Sequence, residues 1–324
     1  MVIIMAIDRI KKLKLQNYTL YVGIAMLAII FEILCAFNGL KFFTASNIYN
    51  IISQSAMIGI LGIGLSLIIL AGGIDLSAGS QVALVGMMVA YALKNWGGSI
   101  FVACLAGMVI GMCAGLFNGL GVAYGRIPPF IMTLGMTSVT KGVTLLIGGG
   151  KSIGALPREL GLISNSTVFG IPIFILYLLV LYIIIIFVMS KFRYGRKVYA
   201  VGGNRKAAKL AGINVKMTEL SVYVLSSLFA SIVGIMMVAR LQFAAATAGA
   251  GYEQYAIASA VIGGISLSGG KGSVQRTLLG SLILSVLKVG LTILNVSTYW
   301  QEIATGLIII VAVYVDCAKM RKAE

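Results

Sequence analysis

Nine carboxylates and no histidine are all that this 324-residue chain offers to acid–base chemistry, and the nine stand singly along the sequence. A general acid or a nucleophile needs a partner within hydrogen-bond reach to take or return its proton. No Asp or Glu pair is spaced for that work, and without histidine or a Cys-x-x-Cys pair no metal cage is legible. "GGGKS" at 148–152 resembles the end of a phosphate-binding loop, but that motif needs glycine where Leu145 stands. The expectation is a chain that is not an enzyme, with no catalytic residue, metal or cofactor of its own. ATP, if used, is hydrolysed by another polypeptide.

What remains is a set of ionisable residues inside or beside apolar runs: Glu32, Asp75, Lys141, Arg240, Glu253, Arg276, Lys288 and Glu302. Each costs about 2.5 kcal/mol or more at a bilayer centre unless it faces protein or water. Most lie near run ends, where snorkelling relieves the cost. Lys141 and Lys288 are the better candidates for an internal pathway or a charge pair.

The elements that must position these residues are membrane-spanning. The chain is 60% hydrophobic and only 10% charged, against roughly 25% charged in ordinary globular chains. Runs of about 20 apolar residues, the length needed to cross a bilayer, recur throughout. The fold class expected is therefore all-α: one polytopic membrane domain of about ten transmembrane helices, at 19–37, 48–70, 78–93, 99–123, 129–147, 171–190, 217–239, 253–268, 274–295 and 299–316. Residues 1–18 and 317–324 are terminal segments, and the domain spans 19–316. The first apolar run is too long, and lacks the cleavage site, for a signal peptide. The two short spans, 78–93 and 253–268, could be re-entrant.

Starting inside, this count places 17 Lys and Arg residues on the cytoplasmic side and 5 outside, so both termini are expected in the cytoplasm. Nucleic acid is excluded as a partner despite the net charge of +16, because the basic residues sit in short connections with no face wide enough for a duplex. Cys35, Cys104, Cys113 and Cys317 read as small packing residues. Gly107, Gly111, Gly115 and Gly119 leave one helix face bare, for close packing or a dimer seam. "GGIDLSAGS" at 72–80 and "GGISLSGGKGS" at 263–273 begin 191 residues apart and suggest two pseudo-repeated halves.

The densest charge lies in "KFRYGRKVYAVGGNRKAAKLAGINVK", residues 191–216, with 8 of the 25 basic residues and no acid. Lys191, Arg193, Arg196 and Lys197 read as a cytoplasmic anchor. Further on, Asn204 as N-cap and Gly212 as C′ residue bracket a helix of about two turns, with Ala207, Leu210 and Ala211 on one face. Arg205 and Lys206 in its first turn oppose the helix dipole, which points to an external partner or anionic lipid.

Taken together, "GRKVYAVGGNRKAAKLAGINV", "AGGIDLSAGS", "PPFIMTLGMTSVTKGVTLLIGGG" and "GGISLSGGKGSVQRTLLG" resemble the permease subunits of bacterial ABC importers for ribose-type monosaccharides, over nearly the whole chain. The resemblance implies a cytoplasmic ABC ATPase as partner, an extracytoplasmic sugar-binding protein meeting the loop 148–170, and a second permease, either a copy or a paralogue, in the inner membrane. It also implies that Gly203, Asn204, Ala207, Ala208 and Gly212 form the coupling helix that docks into the ATPase, with the segments around Asp75 and Ser266 as turns near the path. Asp75, Asn118, Glu253, Ser266 and Lys288 are the expected pathway residues. The chain departs from the family's usual pattern at Gln254, Tyr255, Gln275 and Arg276, and related permeases for other pentoses, galactose or a furanosyl-borate signal share these motifs. Two rival functions stand beside importing sugar: an ion- or proton-coupled secondary transporter using Asp75, Glu253 or Lys288, and a lipid-binding membrane scaffold.

Overall fold

The computed structural model describes residues 2–97 and 99–321. The chain runs through α1 (Val2–Phe37), α2 (Ala45–Leu70), α3 (Ala78–Asn95), α4 (Ile100–Ala123), α5 (Pro129–Gly148), α6 (Leu162–Asn165), α7 (Ile173–Lys191), α8 (Arg193–Gly203), α9 (Arg205–Leu210), α10 (Val215–Leu241), α11 (Tyr252–Ile262), α12 (Val274–Ile293) and α13 (Thr298–Arg321). Among the described residues the strand content is one hairpin, β1 (Thr167–Val168) against β2 (Ile171–Pro172), and one isolated bridge between Ile153 and Ala244. An all-α polytopic membrane protein is what these elements build.

Every expected span coincides with a helix, but not with equal strength. Among the described residues seven helices are long and apolar enough to cross a bilayer: α1, α2, α4, α5, α7, α10 and α12. Of the others, α3 and α11 fall below that length or mean hydropathy, and α13 contributes an apolar stretch over Thr298–Val311 of its described residues. The span expected to reach residue 268 stops at Ile262, because Gly263 and Gly264, the latter at φ 87°, turn the chain out of the helix. The expected tail residues 322–324 lie outside the described residues, as do the side chains of Cys317 and of the N-terminal basic cluster.

Local chemistry sets the helix ends. Thr44 accepts from the Asn47 amide at the start of α2, Ser99 from Val102 at α4, and Asn214 from Met217 at α10. Pro129 opens α5 at its first position, and Gly149 closes it in the left-handed conformation at φ 58°.

The core sits on α2 and α10, whose apolar windows are 89% and 78% buried within the protein, whereas α1, α4, α5 and α7 keep most of theirs on the outside. A helix buried all round in a bilayer protein packs on other helices, and the outward faces remain for lipid or another subunit. The bare face of α4 serves this internal packing. A Cβ at Gly107 would lie 2.7 Å from Val89, at Gly115 2.8 Å from the Tyr223 carbonyl, and at Gly119 3.0 Å from the Leu220 backbone. The glycine row is therefore the seat for α3 and α10.

Candidate functional site

One end of the bundle gathers α8, α9, the α4–α5 turn at Arg126 and the two look-alike segments. There α9 is the short helix expected from its caps. The Ala207 amide donates to Asn204 Oδ1 (2.9 Å), Ile213 donates to the Ala208 carbonyl (3.0 Å) and Gly212 to the Lys209 carbonyl (3.1 Å), with Gly212 at φ 78°. These paired bonds across a left-handed glycine satisfy the last carbonyls of the helix. Ala207, Leu210 and Ala211 are exposed, Leu210 at 90%. Ala208 instead turns inward against Val201 and Val215, so it seats α9 on α8 and α10.

The basic first turn has an internal explanation that the sequence did not show. Arg205 Nη2 donates to Glu219 Oε2 of α10 at 2.7 Å, so this charge needs no outside partner. Lys206 remains exposed.

The two look-alike segments meet beneath α9. Gly270 N donates to the Leu70 carbonyl (2.9 Å), and a Cβ at Gly269 would lie 2.9 Å from the Gly202 carbonyl and 3.0 Å from Gly72 Cα. A Cβ at Gly202, at the end of α8, would overlap the Leu70 carbonyl oxygen. Tyr199 adds a hydrogen bond to the Gly272 carbonyl (3.1 Å). Ser266 belongs to this joint: it is buried, with its hydroxyl 3.0 Å from that of Ser268. A cavity of about 770 Å³ opens beside the joint, lined among others by Gly73, Arg126, Arg205, Lys209, Lys216 and Tyr223.

Asp75 and Asn118 lie deeper. The Ser77 amide and hydroxyl both donate to Asp75 Oδ1, at 2.8 and 2.6 Å. Gln81 Nε2 and Asn118 Nδ2 in turn donate to Ser77 Oγ, at 2.7 and 2.9 Å. Thr133 and Thr137 of α5 hold the loop from outside through the carbonyls of Ile74 and Leu76. Burial pushes the Asp75 carboxyl above the usual carboxylate range, against the pull of the two Ser77 hydrogen bonds. Glu253, in the first turn of α11, packs its carboxylate on Gly79 of α3, where a Cβ would also lie 2.5 Å from the Gly249 carbonyl.

Among the described residues no carboxylate pairs with Lys288. Its ammonium lies over the rings of Tyr252 (5.3 Å) and Tyr255 (4.8 Å), a cation–π arrangement. Lys141 is exposed on α5, within electrostatic reach of Glu253 though not ion-paired with it. Around Lys288 the structure adds side chains that sequence reading did not single out. Tyr252 bonds Gln54 (3.2 Å), and Arg240 donates to Ser53 and to Asn50 (3.4 Å) of α2. Their only sequence signal was a run of polar residues in an apolar span. Half-buried amides, a guanidinium and the Lys288 ammonium over two tyrosine rings, that of Tyr255 buried, together form a polar cluster inside the apolar bundle.

Comparison with known proteins follows this geometry. Residues 47–313 match the family model described as branched-chain amino acid transport system / permease component. The chain is 40% identical to the ribose import permease protein of Escherichia coli (strain K12) over 288 residues, covering 86% of this chain and 88% of that one. It is 38% identical to the D-allose transport system permease protein of the same organism, covering 90% and 89%. It is 33% identical to the xylose transport system permease protein of Haemophilus influenzae, covering 97% and 99%. No solved structure matches it.

Proposed function

The chain belongs to the family of branched-chain amino acid transport system / permease components, and from that premise we propose that it is the membrane subunit of an ATP-driven sugar importer. The relatives covering most of its length are named for ribose, allose and xylose, so the cargo is an aldose of ribose type. The basic end faces the cytoplasm of a bacterial inner membrane, by the positive-inside rule.

The observation that carries the reading is α9. A six-residue helix capped at both ends presents Ala207, Leu210 and Ala211 to solvent while its inward side is fastened to α8 and α10. It is built to be touched by something else, and an ATPase supplies the energy source that this chain lacks. Movement of that ATPase on nucleotide binding reaches the permease through α9, and a binding protein delivers sugar at the opposite end, near loop 148–170. A second permease covers the exposed helices.

The test is co-purification in mild detergent. A nucleotide-hydrolysing subunit should remain with the wild-type chain. The double variant Ala207→Glu, Leu210→Glu should lose it by tenfold or more while keeping its own unfolding temperature, since both side chains point to solvent. Sugar uptake by the chain alone, in vesicles without any ATPase, would instead establish a secondary transporter.

A further inference from the structure

A short helix passes a displacement on only through the bonds that fasten it, and α9 has few. Its link to α8 is the single residue Asn204, after Gly203, where a Cβ would meet nothing within 4 Å. Its link to α10 is residues 211–214, with Gly212 at φ 78°. Glycine at each link leaves room to swivel. Between the links α9 is seated by one buried methyl group, that of Ala208 against Val201 and Val215. Such a seat resists a push toward the bundle. It offers little against a pull, because the dispersion contacts of one methyl group are individually weak.

One bond is of another kind. Arg205, the first residue of α9, donates to Glu219 in the second turn of α10 at 2.7 Å. A charge-assisted hydrogen bond holds in tension as well as in compression. Among the described residues no other ion pair or side-chain hydrogen bond joins α9 to α10. The two ends are unequal: the Glu219 side chain is 9% exposed and that of Arg205 57%. A carboxylate covered to that degree is costly without a countercharge, so Glu219 holds the guanidinium in place. The helix itself gains nothing from a cation in its first turn. Both side chains also border the cavity of about 770 Å³, so no packed side chain stands between Arg205 and solvent on that side, and the bond itself sets the hold. At its other end the pull reaches the core, since α10 runs from Val215 to Leu241 and its apolar window is 78% buried.

We propose that the Arg205–Glu219 pair is the tie that makes α10 follow α9 when the docked partner withdraws as well as when it advances. Glu219 is then a positioning residue for transport, acting through α9 and not on nucleotide or cargo. This rests on the importer reading and adds a side chain to it.

The experiment uses the assembled complex of the chain with its ATPase in proteoliposomes, supplied with the binding protein and with radiolabelled ribose, allose or xylose, and reads the number of sugar molecules taken up per ATP hydrolysed. The variants centre on Glu219, because Arg205 is open enough that changing it alone would also alter the docking face. Glu219→Gln should keep its bound ATPase and lose about threefold or more of the ratio. Glu219→Lys should lose as much, and adding Arg205→Glu to it, which exchanges the two charges, should restore most of the ratio, as no loss of mere packing would allow. An unchanged ratio in Glu219→Gln overturns the proposal, as does an exchanged pair no better than Glu219→Lys alone. Loss of the ATPase from Glu219→Gln overturns it too, since the pair would then serve docking. If Glu219→Gln does not fold, the exchanged pair decides by the same ratio. A wild-type complex that takes up none of the three sugars with ATP removes the importer reading and this inference with it, whereas uptake by the wild type with an unaffected variant rejects the inference alone.

Discussion

A methyl group at Gly202 has nowhere to go, whereas one at Gly203 meets no heavy atom within 4 Å. Gly202→Ala should therefore cost about 1–3 kcal/mol and lower the unfolding midpoint in detergent, while Gly203→Ala should stay within about 0.5 kcal/mol. Equal effects would mean that the joint beneath α9 yields. Residues were legible from sequence where their role is local. Asn204 and Gly212 act on groups three to five positions away, so their capping could be read from spacing alone. Arg205 could not be read that way, because its partner Glu219 lies 14 residues on, beyond a turn. The inward turn of Ala208 was not legible either. One helix face shows which residues align, but only the neighbouring Val201 and Val215 decide which face is inside.

At the scale of elements, α4 and α5 make an instructive pair. Both are apolar and glycine-bearing, yet a Cβ at Gly115 of α4 would lie 2.5 Å from Ser227 Cβ and 2.8 Å from the Tyr223 carbonyl, and one at Gly135 of α5 meets nothing. Gly115→Ala should destabilise the detergent-solubilised chain by about 1–3 kcal/mol. Gly135→Ala should stabilise it by up to about 1 kcal/mol, the intrinsic helix gain. Calorimetric midpoints moving in opposite directions would confirm that α4 is interior and α5 peripheral. The fourfold glycine period announced a bare face, but not that α3 and α10 fill it. Helix ends were legible to within a few residues wherever a cap or proline marks them. The end of α11 was not, since hydropathy continues past Gly264 although the helix does not.

For the whole molecule, the positive-inside count assigns the basic end to the cytoplasm, and that assignment can be tested directly. The basic segments converge at one end, and the hairpin tip Phe169, 101% exposed, belongs to the segment bridged to Ala244 beyond α10. Membrane-impermeant maleimide should label Lys206→Cys only in inside-out vesicles and Phe169→Cys only in intact cells stripped of their outer membrane. Labelling of both from one side would reverse the assignment. The count also placed the two look-alike segments on one side of the membrane. What it could not show is that they touch, because a contact between Gly72 and Gly269 leaves no trace in hydropathy.

That contact has a mechanical meaning. The joint of Gly202 with the Leu70 carbonyl and Gly270 is made of main chain, without rotamers in which a displacement could dissipate. A thrust applied to α9 passes through α8 to the end of α2 and to the loop that starts α12 together. The joint works as a yoke rather than a relay, and the two look-alike segments have to answer it in the same stroke.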